Sequence, residues 1–93
     1  LLLKQVKRKL QEQWPVESLS LFGSWARNQA QAGSDVDLLI TFNPLKDRAI
    51  GLFAFMDIVA EIENALDCKV DLVEKDALKP QLARFVLPEA IQL

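Results

Sequence analysis

Histidine is absent from the 93 residues, and that gap removes whole classes of chemistry. Ser-His-Asp triads, Cys-His dyads and His-ligated zinc all need an imidazole. Whatever chemistry the chain performs must come from carboxylates, hydroxyls, amines, guanidinium groups or the backbone. Cysteine is scarce too: Cys68 alone permits no internal disulfide, and nothing points to an oxidising compartment. There is no basic excess. Eleven Lys and Arg against 13 Asp and Glu leave a net charge of −2, which argues against a general nucleic-acid binder. No apolar run approaches the roughly 20 residues that span a bilayer, and Leu1-Leu2-Leu3-Lys4 is too short for a signal-peptide core. The chain opens on Leu1 rather than Met, which points to a few leading residues outside it. Cytoplasm is the expected location, with neither nucleic acid nor membrane as a partner.

What is present reads as one soluble globular domain over residues 1–93, with 51% hydrophobic and 26% charged residues. A chain this short buries only somewhat more than about 60% of its unfolded surface, so partner surfaces matter. Residues 2–13 predict an amphipathic helix, with Leu3, Val6 and Leu10 inward and Lys4, Lys7, Arg8 and Lys9 on the wet side; Pro15 stops it. Strands are expected over 17–22 and 36–42, the first ended by Gly23 and the second by Asn43-Pro44. Between them Ser24 is placed to cap a short helix over 25–30, followed by a turn at Gly33-Ser34. A long helix over 50–66 carries a stripe of Leu52, Phe55, Met56, Val59, Ile62 and Leu66. Phe53 and Ile58 lie off that stripe, which leaves two readings equal: a second face for a partner, or a helix sandwiched within the domain. A third strand follows at 69–74, then a short helix over 80–86 and a further turn at Pro88. The expectation is an α+β fold, a small mixed sheet with helices packed on it.

The chemistry gathers in "LFGSWARNQAQAGSDVDLLITF", residues 21–42. Asp35 and Asp37 are two apart on a strand, so both side chains leave one face, with Cα atoms about 6.6 Å apart. If the 36–42 and 69–74 strands are neighbours, Asp71 falls beside them. At an effective dielectric near 20, each carboxylate pair about 5 Å apart costs roughly 3 kcal/mol, and divalent cations remove that cost. Oxygen-only ligands suit Mg²⁺ or Mn²⁺, with water and phosphate completing the shell. Gly23 allows close backbone approach, a helix start favours an anion, Ser24 adds a hydroxyl, and Arg27 adds a fork-shaped cation. A phosphate cradle beside paired acids is what phosphoryl or nucleotidyl transfer needs. Each piece alone has a blander reading: a solvated strand edge, a cap, a surface arginine, an acid facing solvent. Their coincidence carries the weight.

Gly23-Ser24, ten residues, then Asp35-x-Asp37 resembles the signature of the minimal nucleotidyltransferase family within the DNA polymerase β-like superfamily. "GSWARNQAQAGSDVDLLI" resembles its fuller pattern, and "KVDLVE" resembles the strand supplying its third acid. Chains of this size resemble the antitoxin half of HEPN–nucleotidyltransferase toxin–antitoxin pairs. The resemblance implies a polymerase β-like fold and Mg²⁺-dependent transfer of AMP from ATP to a hydroxyl, a tyrosine, of a cognate HEPN toxin, with which the chain would form a hetero-oligomer. It implies two Mg²⁺ ions on Asp35, Asp37 and Asp71, with Asp71 helping to deprotonate the attacking hydroxyl. Gly23, Ser24, Arg27 and Ser34 would bind the nucleotide. One departure stands out: Asn28 occupies the usual Gly position, and asparagine tolerates the left-handed backbone better than most residues.

Two rivals remain: a silent antitoxin that neutralises its partner by occlusion, and an enzyme modifying a small molecule, for which 93 residues leave little room. Elsewhere the bland readings hold. Cys68 is an inert, partly buried thiol, Trp25 packs over the core rather than stacking on adenine, and Lys75 and Lys79 form a solvated face. Asp47, Asp57 and Asp67 are surface or helix-end acids.

Overall fold

A computed structural model describes residues 2–31, 35–43 and 50–93. The predicted Gly33-Ser34 turn, Pro44, Asp47 and Ser34 as a nucleotide ligand lie outside them. The first helix, α1 (Leu2–Gln13), buries Val6 and Leu10, as its periodicity requires. Strands β1 (Val16–Phe22) and β2 (Val36–Phe42) pair antiparallel, and β3 (Val70–Glu74) pairs parallel to β2. A two-residue strand, β4 (Ile91–Gln92), adds antiparallel to β1. The sheet is therefore mixed, in the order β3-β2-β1-β4. Sequence patterning missed β4, because two residues carry no periodicity.

The helices α1 and α2 (Leu52–Leu66) supply the core on one face of the sheet. Val6 and Leu10 meet Ile58 and Ile62 over Leu19, Val36, Leu38 and Ile40. Val16 joins them although it lies three residues before Leu19. A register shift between Val16 and Ser18 inserts an extra residue, and such a bulge turns Val16 onto the core face that strict alternation denies it. Leu39 is also buried, at 2% exposure, but outside that cluster and on the opposite face. The 3-10 turn Lys75–Ala77 also approaches β2.

The expected stripe of α2 is displaced. Ile58, thought to lie off it, is fully buried with Ile62, and Phe55 and Leu66 flank them. Leu52, Phe53 and Met56 stand 71%, 82% and 55% exposed. Hydrophobicity was nearly continuous around this helix, so its pattern could not choose the docked face; contact with α1 and β3 does. Lys7 also departs from expectation. Rather than facing water, its Nζ donates to the Leu93 carbonyl at 2.6 Å.

After β3 the chain passes through α3 (Pro80–Val86) and a 3-10 turn at Leu87–Glu89, matching the turn expected at Pro88. It then returns down β1 as β4. Among the described residues no helix is long and apolar enough to cross a membrane.

Truncation distinguishes the two faces of α2. Ile62→Ala should cost about 2–5 kcal/mol of unfolding free energy, whereas Met56→Ala should stay within about 0.5 kcal/mol. Urea denaturation of both variants measures this; equal losses would place the docked face around Met56.

Candidate functional site

Antiparallel β1–β2 pairing and parallel β2–β3 pairing bring the end of β1 and the beginnings of β2 and β3 to one edge of the sheet. Asp37 pairs in register with Phe22 on one side and with Asp71 on the other. Directly opposed residues in a sheet share a face, so Asp37 and Asp71 leave the same side, away from the α1–α2 core. Asp35 precedes β2 and is exposed, as is Asp71, while Asp37 is partly buried.

Burial raises the Asp37 pKa above its ordinary value of 3.8, and the negative charges of Asp71 and Asp35 raise it further; Arg27 opposes them. The three acids therefore interact through charge. Among the described residues, however, no three Asp, Glu or Cys side chains are gathered closely enough to form a ready-built metal cage. These facts are compatible. Carboxylates that repel one another spread apart, and a hard divalent cation both removes the repulsion and accepts an all-oxygen donor set. By that test of charge and donor chemistry the residues fit Mg²⁺.

Gly23 touches this group. Its φ is +76°, a left-handed conformation, and a Cβ there would fall on the Asp37 carboxylate, 3.0 Å from Cγ. The glycine is needed first for packing Asp37 against backbone, a closer constraint than access for a ligand.

The helix expected over 25–30 does not form. Arg27 N–H donates to Gly23 O at 3.1 Å, closing a single helical turn. Asn28 then adopts φ +58°. Its N–H donates to Trp25 O at 3.3 Å, and Gln29 N–H donates to Ser24 O at 2.8 Å. These two bonds around a left-handed residue are the Schellman arrangement that ends helices. Asn28 thus supplies the conformation the usual glycine would, and supplies it too early for a helix to grow. The accumulated dipole of a longer helix is lost to the cradle. Ser24 remains there, half-buried. Arg27 lies near enough to act on Asp37, but it is engaged elsewhere: Nη1 pairs with Glu89 at 3.0 Å and Nε donates to Gln29 Oε1 at 3.1 Å. Glu89 is 62 residues away in sequence, so sequence pattern carries no signal for it. Trp25 is 47% exposed and does not join the core.

A family profile described as "Nucleotidyltransferase domain" matches residues 3–93. The chain belongs to the nucleotidyltransferase domain family. A protein adenylyltransferase, MntA of Thermococcus cleftensis, is 35% identical over 85 residues, spanning 91% of this chain and 82% of its own. A solved structure described, on inference, as a minimal nucleotidyltransferase is 31% identical with a TM-score of 0.78, covering 97% of this chain and 87% of that one. A toxin–antitoxin crystal structure with AMP-PNP superposes at a TM-score of 0.76 over 98% of this chain and 68% of its own. At 21% identity that likeness shows the fold alone. The chain is thus a nucleotidyltransferase of α+β fold.

Two substitutions test this geometry. Gly23→Ala should destabilise this nucleotidyltransferase by about 1–2 kcal/mol from the left-handed backbone alone, with an added loss from displacing Asp37. Chemical denaturation reads the sum, and a neutral result would remove the Gly23–Asp37 contact. Second, the folded chain holds the Asp37 proton more tightly than the unfolded chain, so stability falls as pH rises through the raised pKa. Without divalent cations, Asp37→Asn should therefore raise Tm at pH about 7, and the gain should shrink as pH falls and vanish about a unit below the unfolded value of 3.8, where both states are protonated. Thermal melts across that range check the sign.

Proposed function

We propose that these 93 residues act in the cytoplasm as a single minimal nucleotidyltransferase domain. On this reading it is an antitoxin that transfers AMP from ATP to a tyrosine hydroxyl of a cognate HEPN toxin and so neutralises it. The observation that carries the reading is the register of Asp37 with Asp71, against a glycine turn that admits the Asp37 carboxylate. The names of relatives support a protein acceptor. MntA is named a protein adenylyltransferase, and a structural neighbour is a tri-AMPylated Shewanella oneidensis HEPN toxin with its MNT antitoxin, matched at 19% identity.

In the proposed reaction the acceptor oxygen attacks the α-phosphorus of ATP. A new P–O bond forms, the bond from that phosphorus to the bridging oxygen breaks, and pyrophosphate leaves. Asp71, exposed at the sheet edge, would take the hydroxyl proton. Asp35, Asp37 and Asp71 would hold two Mg²⁺ ions, which when bound lower the hydroxyl pKa and stabilise the departing pyrophosphate. Gly23 and Ser24 would receive the triphosphate. Arg27 would reach it after exchanging its pair with Glu89, an exposed ion pair worth only about 0–1 kcal/mol.

The exposed Leu52, Phe53 and Met56 favour a protein partner in this reading and equally in that of a silent antitoxin acting by occlusion. The acids separate the two. With α-labelled ATP, Mg²⁺ and the purified HEPN toxin, the Asp35→Asn, Asp37→Asn double variant should lose labelling by at least about 10³-fold while still binding the toxin, the scale expected when catalytic charge stabilisation is removed. Labelling at the wild-type rate would overturn the enzyme reading. Loss of labelling with full neutralisation in cells would favour occlusion.

A further inference from the structure

The third acid sits on the least supported strand of the site. Among the described residues β3 forms one end of the sheet, hydrogen-bonded to a strand on one side only, and the backbone groups on its other side need other partners. Asp71 must nevertheless hold its place opposite Asp37. Val70, immediately before it, donates its N–H not to backbone but to Glu63 Oε2 on α2, at 3.0 Å in a part-buried setting. The same Glu63 accepts Asp67 N–H at its carbonyl, 2.8 Å away, where Asp67 takes φ +54° and ends the helix. One residue thus grips both ends of the short connector between α2 and β3. On the inner side Val36 N–H donates to Lys69 O at 3.1 Å, tying the connector to β2. A carboxylate acceptor makes a stronger hydrogen bond than a neutral one, and this one is spent at the strand entrance, one residue from Asp71.

We propose that Glu63 is the positioning residue for the third metal-binding acid: by holding Val70 N–H it fixes the free edge of β3 and so sets Asp71 against Asp37. This deepens the nucleotidyltransferase reading and rests on it for the metal. Glu63 touches neither substrate nor metal; it acts through the backbone of β3. The bond requires an acceptor and not a charge, so glutamine should replace glutamate where alanine cannot.

The test uses the full chain and Mn²⁺ as the probe, with free Mn²⁺ read by electron paramagnetic resonance in the presence of AMP-PNP, and amide hydrogen exchange read by NMR. Glu63→Ala should weaken Mn²⁺ binding about tenfold, the scale seen when support behind a metal ligand is lost. It should also expose the Val70 and Asp71 amides to exchange, while amides of α1 and β1 stay protected. Glu63→Gln should keep Mn²⁺ affinity within about threefold of wild type and preserve Val70 protection. Glu63→Ala binding Mn²⁺ as tightly as wild type overturns the proposal, as does Glu63→Gln failing as badly as alanine, or protection falling throughout the chain in step with affinity. Wild type that binds Mn²⁺ but transfers no AMP overturns the functional reading alone. Wild type that binds no Mn²⁺ overturns both.

Discussion

The parallel pairing of β2 with β3 decides which residues meet at the candidate site. Asp35 and Asp37 are two residues apart, so covalent structure alone keeps them near one another. Asp71 comes from a strand separated from them by a whole helix, and it reaches the site only because Val70 pairs with Val36 and Asp71 with Asp37. A slip of one residue would turn Asp71 toward the helices and bring Val70 or Leu72 to the acids. The buried alternation that prevents the slip, with Val36, Leu38 and Ile40 in the core and Val70 and Leu72 packed against it, therefore fixes the candidate site as well as the fold.

That arrangement carries an electrostatic cost. Asp37 is partly buried beside two other acids, and its raised pKa records both burial and repulsion. A small core, a cluster of nine buried hydrophobic residues among those described, accommodates this by leaving Asp35 and Asp71 in water and by opening the turn at Gly23 to the Asp37 carboxylate. The same edge receives Arg27, whose pairing with Glu89 joins the turn after β1 to the segment leading into β4. Charge at the site is thus tied to the path of the C-terminal segment.

Legibility followed the physics of each element. α1, β2 and α3 were readable to their ends, since one face of α1 and β2 is apolar and Pro80 marks the start of α3. The helix expected after Ser24 was not, because its residues suit a helix locally; the left-handed Asn28 and its two hydrogen bonds close it after one turn. α2 was readable as a helix but not in its rotation, since apolar residues surround much of it. β4 was invisible, its two residues being ordered by Leu21 and Ser20 across the sheet and not by any pattern of their own.

By itself the sequence determined what is local: the spacing of Gly23-Ser24 from Asp35-x-Asp37, and the absence of any imidazole that would offer another chemistry. The contacts of Gly23 with Asp37, Asp71 with Asp37, Glu63 with Val70 and Arg27 with Glu89 belong to tertiary structure. Each joins residues from different elements, and chain order says nothing about distance until the strands choose their neighbours and their register.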